Sequence, residues 1–350
     1  MRVAFRVDAS REIGSGHVMR CIALAHALAE QGAEIVFLCQ QLPGSMERQI
    51  QEAGFVCWLL TSVQDIEDDA DQTNRLLDQS PGWDWLIVDH YALSVRWSRI
   101  LRARIEKLMA IDDLANRLLG CDVLLDQNLN ANPAKRYKGL VPPDAVCLFG
   151  PEFALLRPEF AKSRNALRPR SGEVARIFVC FGGADAPNAT GRVLETLLPV
   201  FPHVYFDVAL GAANPHCESL QALCAQYSNV TLSYAKMDVA TRMLQADLFI
   251  GSGGSMTWER AALALPGITL SIADNQQALS RLLARMGEGR DLGMLEDFSA
   301  AALVDTLRAL IASPATVRAM GQALAKRCDG HGAERVAQIL FDQTLMSLSS

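Results

Sequence analysis

The stretch Gly14-Ser15-Gly16-His17-Val18-Met19-Arg20-Cys21 places a histidine where a glycine loop turns into an amphipathic helix. Unpaired backbone N–H groups and the positive end of the helix dipole favour an anion there, and Gly14 and Gly16 let a ligand approach closely. The same field disfavours an imidazolium, so His17 is expected neutral and able to take a proton. Two readings stand at this point: a base beside an anion, and a histidine that merely caps the helix. The loop lacks the full dinucleotide fingerprint. A second glycine loop, Gly251-Ser252-Gly253-Gly254-Ser255, leads from an apolar run into Met256-Thr257-Trp258-Glu259-Arg260. Gly253, Gly254 and Ser255 offer a second phosphate cradle, with Ser255 placed to cap the helix. Glu259 stands about one helical turn further on, where a carboxylate can accept from both hydroxyls of a ribose. Its alternative is a cap or a surface partner for Arg260.

Other polar residues close apolar runs. Asp89-His90-Tyr91 does so at a strand end, where ligand-facing side chains collect and where turn capping is equally at home. Asp112 and Asp113 are neighbours on an extended segment and point to opposite faces, which favours caps over a shared metal ion. Arg157 precedes Pro158 and Glu159, and either a ligand anion or Glu159 would satisfy it. No Gly-Lys-Ser/Thr follows either glycine loop as an ATPase requires, and no serine occupies the elbow of an acyl hydrolase.

The elements that must hold these residues follow from apolar periodicity. Strands are expected at 2–7, 35–39, 56–60, 85–88, 108–111, 123–125 and 146–149, with helical patterns between them. The rhythm restarts at 177–181 and continues at 204–210, 230–233, 248–250 and 268–271. This is the pattern of parallel sheets with crossover helices. The stretch 162–172 is basic, contains Pro169 and Gly172 and lacks apolar periodicity, so it reads as a linker. The expected fold class is therefore α/β, with two doubly wound, Rossmann-like domains at 1–164 and 165–350 facing across a cleft where the chemistry lies.

At 350 residues, half of them apolar, the chain can bury two cores. A net charge of −6 and the lack of a basic track interleaved with aromatics argue against a nucleic-acid partner. No run approaches the roughly 18 apolar residues of a membrane span, and the first residues already read as a strand rather than a signal peptide. A cytoplasmic protein with no membrane partner is expected. The nine cysteines fall mostly within strands and helices without C-x-x-C pairs and read as small buried apolar residues.

Several segments together carry a family resemblance: Arg6-Val7-Asp8-Ala9-Ser10, Ile13 to Cys21, Asp89-His90-Tyr91, Ile111-Asp112-Asp113-Leu114-Ala115, Leu125-Asp126-Gln127-Asn128-Leu129, Ala154 to Phe160, Gly253-Gly254-Ser255 with Thr257-Trp258-Glu259-Arg260, and Asn275-Gln276. In this order they resemble the UDP-2,4-diacetamido-2,4,6-trideoxy-β-L-altropyranose hydrolases of pseudaminic acid biosynthesis, the PseG family, over nearly the whole chain. The resemblance implies a glycosyltransferase-B fold, similar to the enzyme that adds N-acetylglucosamine to the peptidoglycan lipid precursor, and transfer of the sugar to water with inversion. It implies that His17 is the base, that Arg157 and Glu259 bind the nucleotide sugar with Glu259 on the ribose, that Gly253 to Ser255 hold the diphosphate, and that Tyr91 and Asn275 complete the substrate site. Gly14 and Gly16 would leave room for sugar and water. No cofactor and no metal ion are implied. The competing readings are a glycosyltransferase with the same donor site and a nucleotide-sugar-binding protein without turnover.

Overall fold

Apolar runs bounded by turn formers become parallel strands buried on both faces. The computed structural model describes residues 1–10, 13–80, 82–211, 214–234 and 238–348. Seven strands, β1 (Arg2–Val7), β2 (Glu34–Gln40), β3 (Val56–Leu60), β4 (Trp83–Asp89), β5 (Ile105–Ile111), β6 (Val123–Asp126) and β7 (Val146–Phe149), form one sheet in the order β3-β2-β1-β4-β5-β6-β7. Six more, β8 (Arg176–Cys180), β9 (Tyr205–Leu210), β10 (Val230–Tyr234), β11 (Leu248–Gly251), β12 (Gly267–Ser271) and β13 (Arg290–Met294), form a second in the order β10-β9-β8-β11-β12-β13. Every expected strand is present. Strand β13 was not anticipated, because Arg290-Asp291-Leu292-Gly293-Met294 has no apolar run; it is a half-buried edge strand paired only with β12.

The pleat sorts the side chains of the first sheet. Val3, Phe5 and Val7 of β1, Trp85 and Ile87 of β4, and Met109 and Ile111 of β5 pack under the helix Gly16–Glu30. Their even-numbered neighbours Ala4, Leu86, Val88, Leu108 and Ala110 pack on the opposite face, with Leu77, Trp97 and Leu101. The second sheet carries its own core, from Ile177, Val179, Phe206 and Val208 to Leu303, Leu307 and Met320.

The two compact units are Met1–Arg157 with His331–Ser350, and Pro158–Gly330. This departs from the expected boundary near 165 at both ends. Arg164 donates to the carbonyls of Ala262, Ala325 and Cys328, and Arg170 to those of Met243, Ala246, Leu263 and Ala264, so the basic stretch is lashed to helix ends of the second unit. Its arginines serve as C-terminal caps, a use that a linker composition conceals. The last helix, Gly332–Leu348, returns to the first unit: Ala333, Val336, Ala337 and Leu340 join the core beside Leu24 and Leu28, and Trp85 Nε1 donates to Thr344 Oγ1 at 2.8 Å. An apolar stripe on a helix must be buried somewhere, and sequence order does not say where. Among the described residues, no single helix is long and apolar enough to cross a membrane.

Leu340 is fully buried in that seam. Truncation to alanine, Leu340→Ala, is expected to destabilise the first unit by about 2–5 kcal/mol. Urea unfolding followed by tryptophan fluorescence checks this, since Trp58, Trp83, Trp85 and Trp97 all lie in that unit.

Candidate active site

Both sheets change direction of winding at one place, between β1 and β4 in the first and between β8 and β11 in the second. Ligands of open α/β sheets bind beyond the carboxyl ends of the strands at such points. In the first unit, Val7 pairs with Asp89 across that switch point, and the loop after β1 delivers His17 on the second residue of its helix. Gly14 turns at φ 81°, and a Cβ on Gly14 or Gly16 would meet nothing within 4 Å. Among the described residues, nothing packs against either glycine.

Asp89 ends β4 on the face that carries the helix Gly16–Glu30, and it is fully buried there. His17 Nδ1 lies 2.6 Å from Asp89 Oδ1. Arg20, three residues further along the helix and therefore on the same side as His17, donates Nε to Asp89 Oδ2 and Nη2 to Oδ1, each at 2.6 Å. The Cys21 thiol adds a longer contact to Oδ2 at 3.7 Å. Burial by itself would raise the Asp89 carboxyl, but the Arg20 charge, His17 and their hydrogen bonds outweigh it and hold the group well below the usual carboxylate range. An ionised carboxylate has no proton to give, so the 2.6 Å contact requires the imidazole proton on Nδ1. In a neutral ring, Nε2 is then the basic nitrogen. It makes no hydrogen bond to any described residue and is not shut away from solvent. The alternative that His17 caps its helix falls: Ser15 holds the cap position, and the imidazole is committed to Asp89.

Tyr91 stands edge-on to the imidazole, with centroids 4.7 Å apart and planes at 85°. Burial first, and then the Asp113 charge, push its phenol upward. His90, between Asp89 and Tyr91 in sequence, faces the other way. Its Nδ1 accepts from Ala92 N at 3.1 Å and its Nε2 lies 3.3 Å from Asp8 Oδ2. Asp8 is itself bound to Arg6, which also binds Asp69, all of them buried. That ion-paired group anchors the loop beyond β4 from below, so that Asp89 and Tyr91 present to His17. Contrary to expectation, neither Asp112 nor Asp113 caps a helix, because no helix starts between β5 and β6. Asp112 accepts from Ala115 N in a turn and pairs with Arg117, whereas Asp113 turns to Arg20 and Tyr91. Arg157 is half-buried at the last residue of the first unit.

In the second unit, Gly251 pairs with Cys180 across the switch point, so the glycine loop leaves β11 beside the end of β8. Gly253 is buried; a Cβ there would fall 2.1 Å from Ser280 Oγ, and one on Gly254 would fall 3.7 Å from Gln276 Nε2. The loop thus lies on the first turns of the helix Asp274–Arg285, which presents Asn275 exposed at its second position. Ser255 occupies the cap position in helical conformation, yet its side chain makes no cap bond, contrary to expectation. Ser15 behaves alike. Elsewhere in the chain, Asp65 and Ser94 accept from Asp68 N and Arg96 N, whereas Ser313 likewise makes no cap bond. Both glycine-loop starts leave first-turn N–H groups unclaimed by a side-chain cap. Glu259 is half-buried one turn along, and its charge, after burial itself, contributes to holding the Cys180 thiol up at about 12. Arg260 is buried over the Phe249 ring and reaches Leu265 O, so it serves the core.

Two doubly wound parallel-sheet units of this kind make up the glycosyltransferase-B fold. Acinetobacter baumannii MurG has a TM-score of 0.69 to this chain at 16% identity, over 97% of this chain and 99% of its own. The spinosyn rhamnosyltransferase SpnG with thymidine diphosphate gives 0.66 at 16% identity, over 97% and 100%. These likenesses are of fold. No protein-family model matches the chain. In sequence the chain is similar to the UDP-2,4-diacetamido-2,4,6-trideoxy-β-L-altropyranose hydrolase of Campylobacter jejuni, 28% identical over 288 residues that cover 82% of this chain and 97% of that protein. It is also similar to the spore coat polysaccharide biosynthesis protein SpsG of Bacillus subtilis, 26% identical over 195 residues, 55% of this chain and 57% of that one. The resemblance carried by the motifs is thus borne out along most of the chain.

Because the Asp89 carboxyl is held low in the folded protein, its ion pairs add stability that is complete above the ordinary carboxylate range and is lost as pH falls below it. Urea midpoints measured from about pH 6 down to about pH 3 should fall less steeply in Asp89→Asn than in the parent. Parallel curves would show that Asp89 is not ionised and paired.

Proposed function

We propose that the protein hydrolyses a UDP-linked sugar, with the diacetamido-trideoxy-altropyranose named for the Campylobacter relative as its substrate. The observation that carries this reading is the free Nε2 of His17, made the basic nitrogen by Nδ1–H bound to a buried Asp89. Water on Nε2 gives its proton to the imidazole while its oxygen bonds to the anomeric carbon from the face opposite UDP. The bond from that carbon to the phosphate oxygen breaks, and UDP leaves with the electron pair, which inverts the anomeric centre. Asp89 then faces an imidazolium and stabilises it. In the second unit, Gly253, Gly254 and Ser255 meet the diphosphate with backbone N–H groups, and Glu259 takes the ribose hydroxyls. Tyr91, Arg157 and Asn275 complete the contacts to the substrate, and Gly14 and Gly16 leave the space beside His17 open. With N–H groups meeting the departing charge, turnover is independent of a metal ion.

The test is UDP release from the purified protein with no acceptor present. Release at a steady rate, undiminished by EDTA, is expected; release that needs an added acceptor would instead establish a transferase, and binding without release a carrier. In ¹⁸O-water the label should enter the sugar, and label in UDP would overturn the C–O cleavage. A positioned base contributes ~10²–10⁴-fold, so His17→Asn should lose about that much in kcat while UDP-sugar binding persists. For Glu259→Ala, a rise of roughly tenfold in KM with a smaller change in kcat is the expected signature of a lost ribose contact.

A further inference from the structure

Four side chains close a circuit with the imidazole. His17 bonds to Asp89, and Asp89 to Arg20. Arg20 Nη1 lies 3.7 Å from Asp113 Oδ2. Asp113 acts on the Tyr91 hydroxyl as a nearby charge and as an acceptor, and the Tyr91 ring returns edge-on to His17. Arg20 and Cys21 come from the helix of His17, Asp89 and Tyr91 from the end of β4, and Asp113 from the end of β5. Among the described residues, these are the charged and titratable groups that face the imidazole from the elements packed around it. We propose that Asp113 is a positioning residue for the hydrolysis, acting on His17 through Arg20 and Tyr91 without touching the substrate. The inference rests on His17 being the base.

Charge counting shows why one carboxylate is not enough. Asp89 is bound twice by Arg20, and Arg20 Nη2 also approaches Nδ1 of His17 to 3.1 Å. A proton arriving on His17 would therefore meet a neutralised carboxylate and a guanidinium. Asp113 changes the sum: two carboxylates and one guanidinium carry a net charge of −1, which the imidazolium brings to zero. The second carboxylate also holds Tyr91, whose ring edge limits rotation of the imidazole about the axis that aims Nε2. Folding alone gives no reason for this aspartate, because its Oδ1 is buried with no hydrogen-bond partner among the described residues, an arrangement that costs stability.

The experiment is the pH profile of kcat and KM for Asp113→Asn, which keeps the shape and removes the charge. KM should stay within about threefold, kcat should fall about tenfold, and the acid limb of kcat/KM should move to lower pH by roughly half a unit or more, since the imidazolium loses a counter-charge. Asp113→Glu, which restores the charge, should return the limb toward its parental position. An Asn variant with parental kcat and an unmoved limb overturns the proposal, as does a Glu variant whose limb moves as far as that of Asn. Should Asp113→Asn fail to fold, Tyr91→Phe cuts the circuit at the next joint; whatever the loss of its substrate contact does to KM, it must lower kcat and move the acid limb to lower pH, and an unchanged kcat with an unmoved limb overturns the proposal. In the double variant, the cost of Asp113→Asn should shrink, and strict additivity would contradict coupling. If the parent releases no UDP, the reading of His17 as the base fails; if the parent is active, His17→Asn is dead and Asp113→Asn is normal, only the role of Asp113 fails.

Discussion

The Asp89 carboxylate is the interaction around which the first unit is arranged. A buried, isolated charge at a strand end would be costly, and only a cation with matching geometry makes it tolerable. Arg20 supplies that cation from the helix that follows β1, so the ion pair ties this helix to β4, the neighbour of β1 in the sheet although β2 and β3 come between them in sequence. Once both are fixed, His17 one turn earlier has its imidazole proton bound on Nδ1 and its other nitrogen without a hydrogen bond to any described residue. Tautomer, ring orientation and accessibility thus follow from one carboxylate.

The pleat decides which residues can take part. With a period of two, Asp89 and Tyr91 face the helix Gly16–Glu30, while His90 faces Asp8, Arg6 and Asp69. A one-residue slip in β4 would exchange these sets and present His90 in place of the Asp89 and Tyr91 pair. The register Val7 to Asp89 is held by apolar neighbours that are buried on both faces, which leaves no room for such a slip. The buried Arg6 group is therefore part of the site's support even though it lies on the far face of the sheet.

Much of this was legible in the sequence, for identifiable reasons. Long apolar runs ending in Asp or Gly announced the strands, and the glycine loops marked both switch points. The edge strand β13 escaped because an edge needs no apolar run. The return of Gly332–Leu348 to the first unit escaped because its apolar stripe is indifferent to which sheet it covers. Arg164 and Arg170 escaped because basic residues near Pro169 and Gly172 read as solvated linker, although they cap helix carbonyls. At the site, His17 and Tyr91 were legible and their organisers were not. Asp89 was visible as a polar strand end, and Arg20 as a charge three residues beyond His17 on an otherwise apolar helical face. That spacing was the available signal: a lone arginine among Val18, Cys21, Ile22 and Leu24 is buried at a cost unless an acid awaits it.

The two glycine loops look alike in sequence, yet the structure gives their glycines different physical work. At Gly253 a side chain would collide with Ser280, so the residue is small because another helix packs against it. At Gly14 and Gly16 a side chain would meet nothing, so packing does not demand glycine there beyond the positive φ of Gly14. A loop closed over a helix holds its N–H groups in fixed positions, as a diphosphate requires. The same motif is thus packed against a neighbouring helix in one unit and, among the described residues, left unpacked in the other, and the difference lies in what stands behind each glycine.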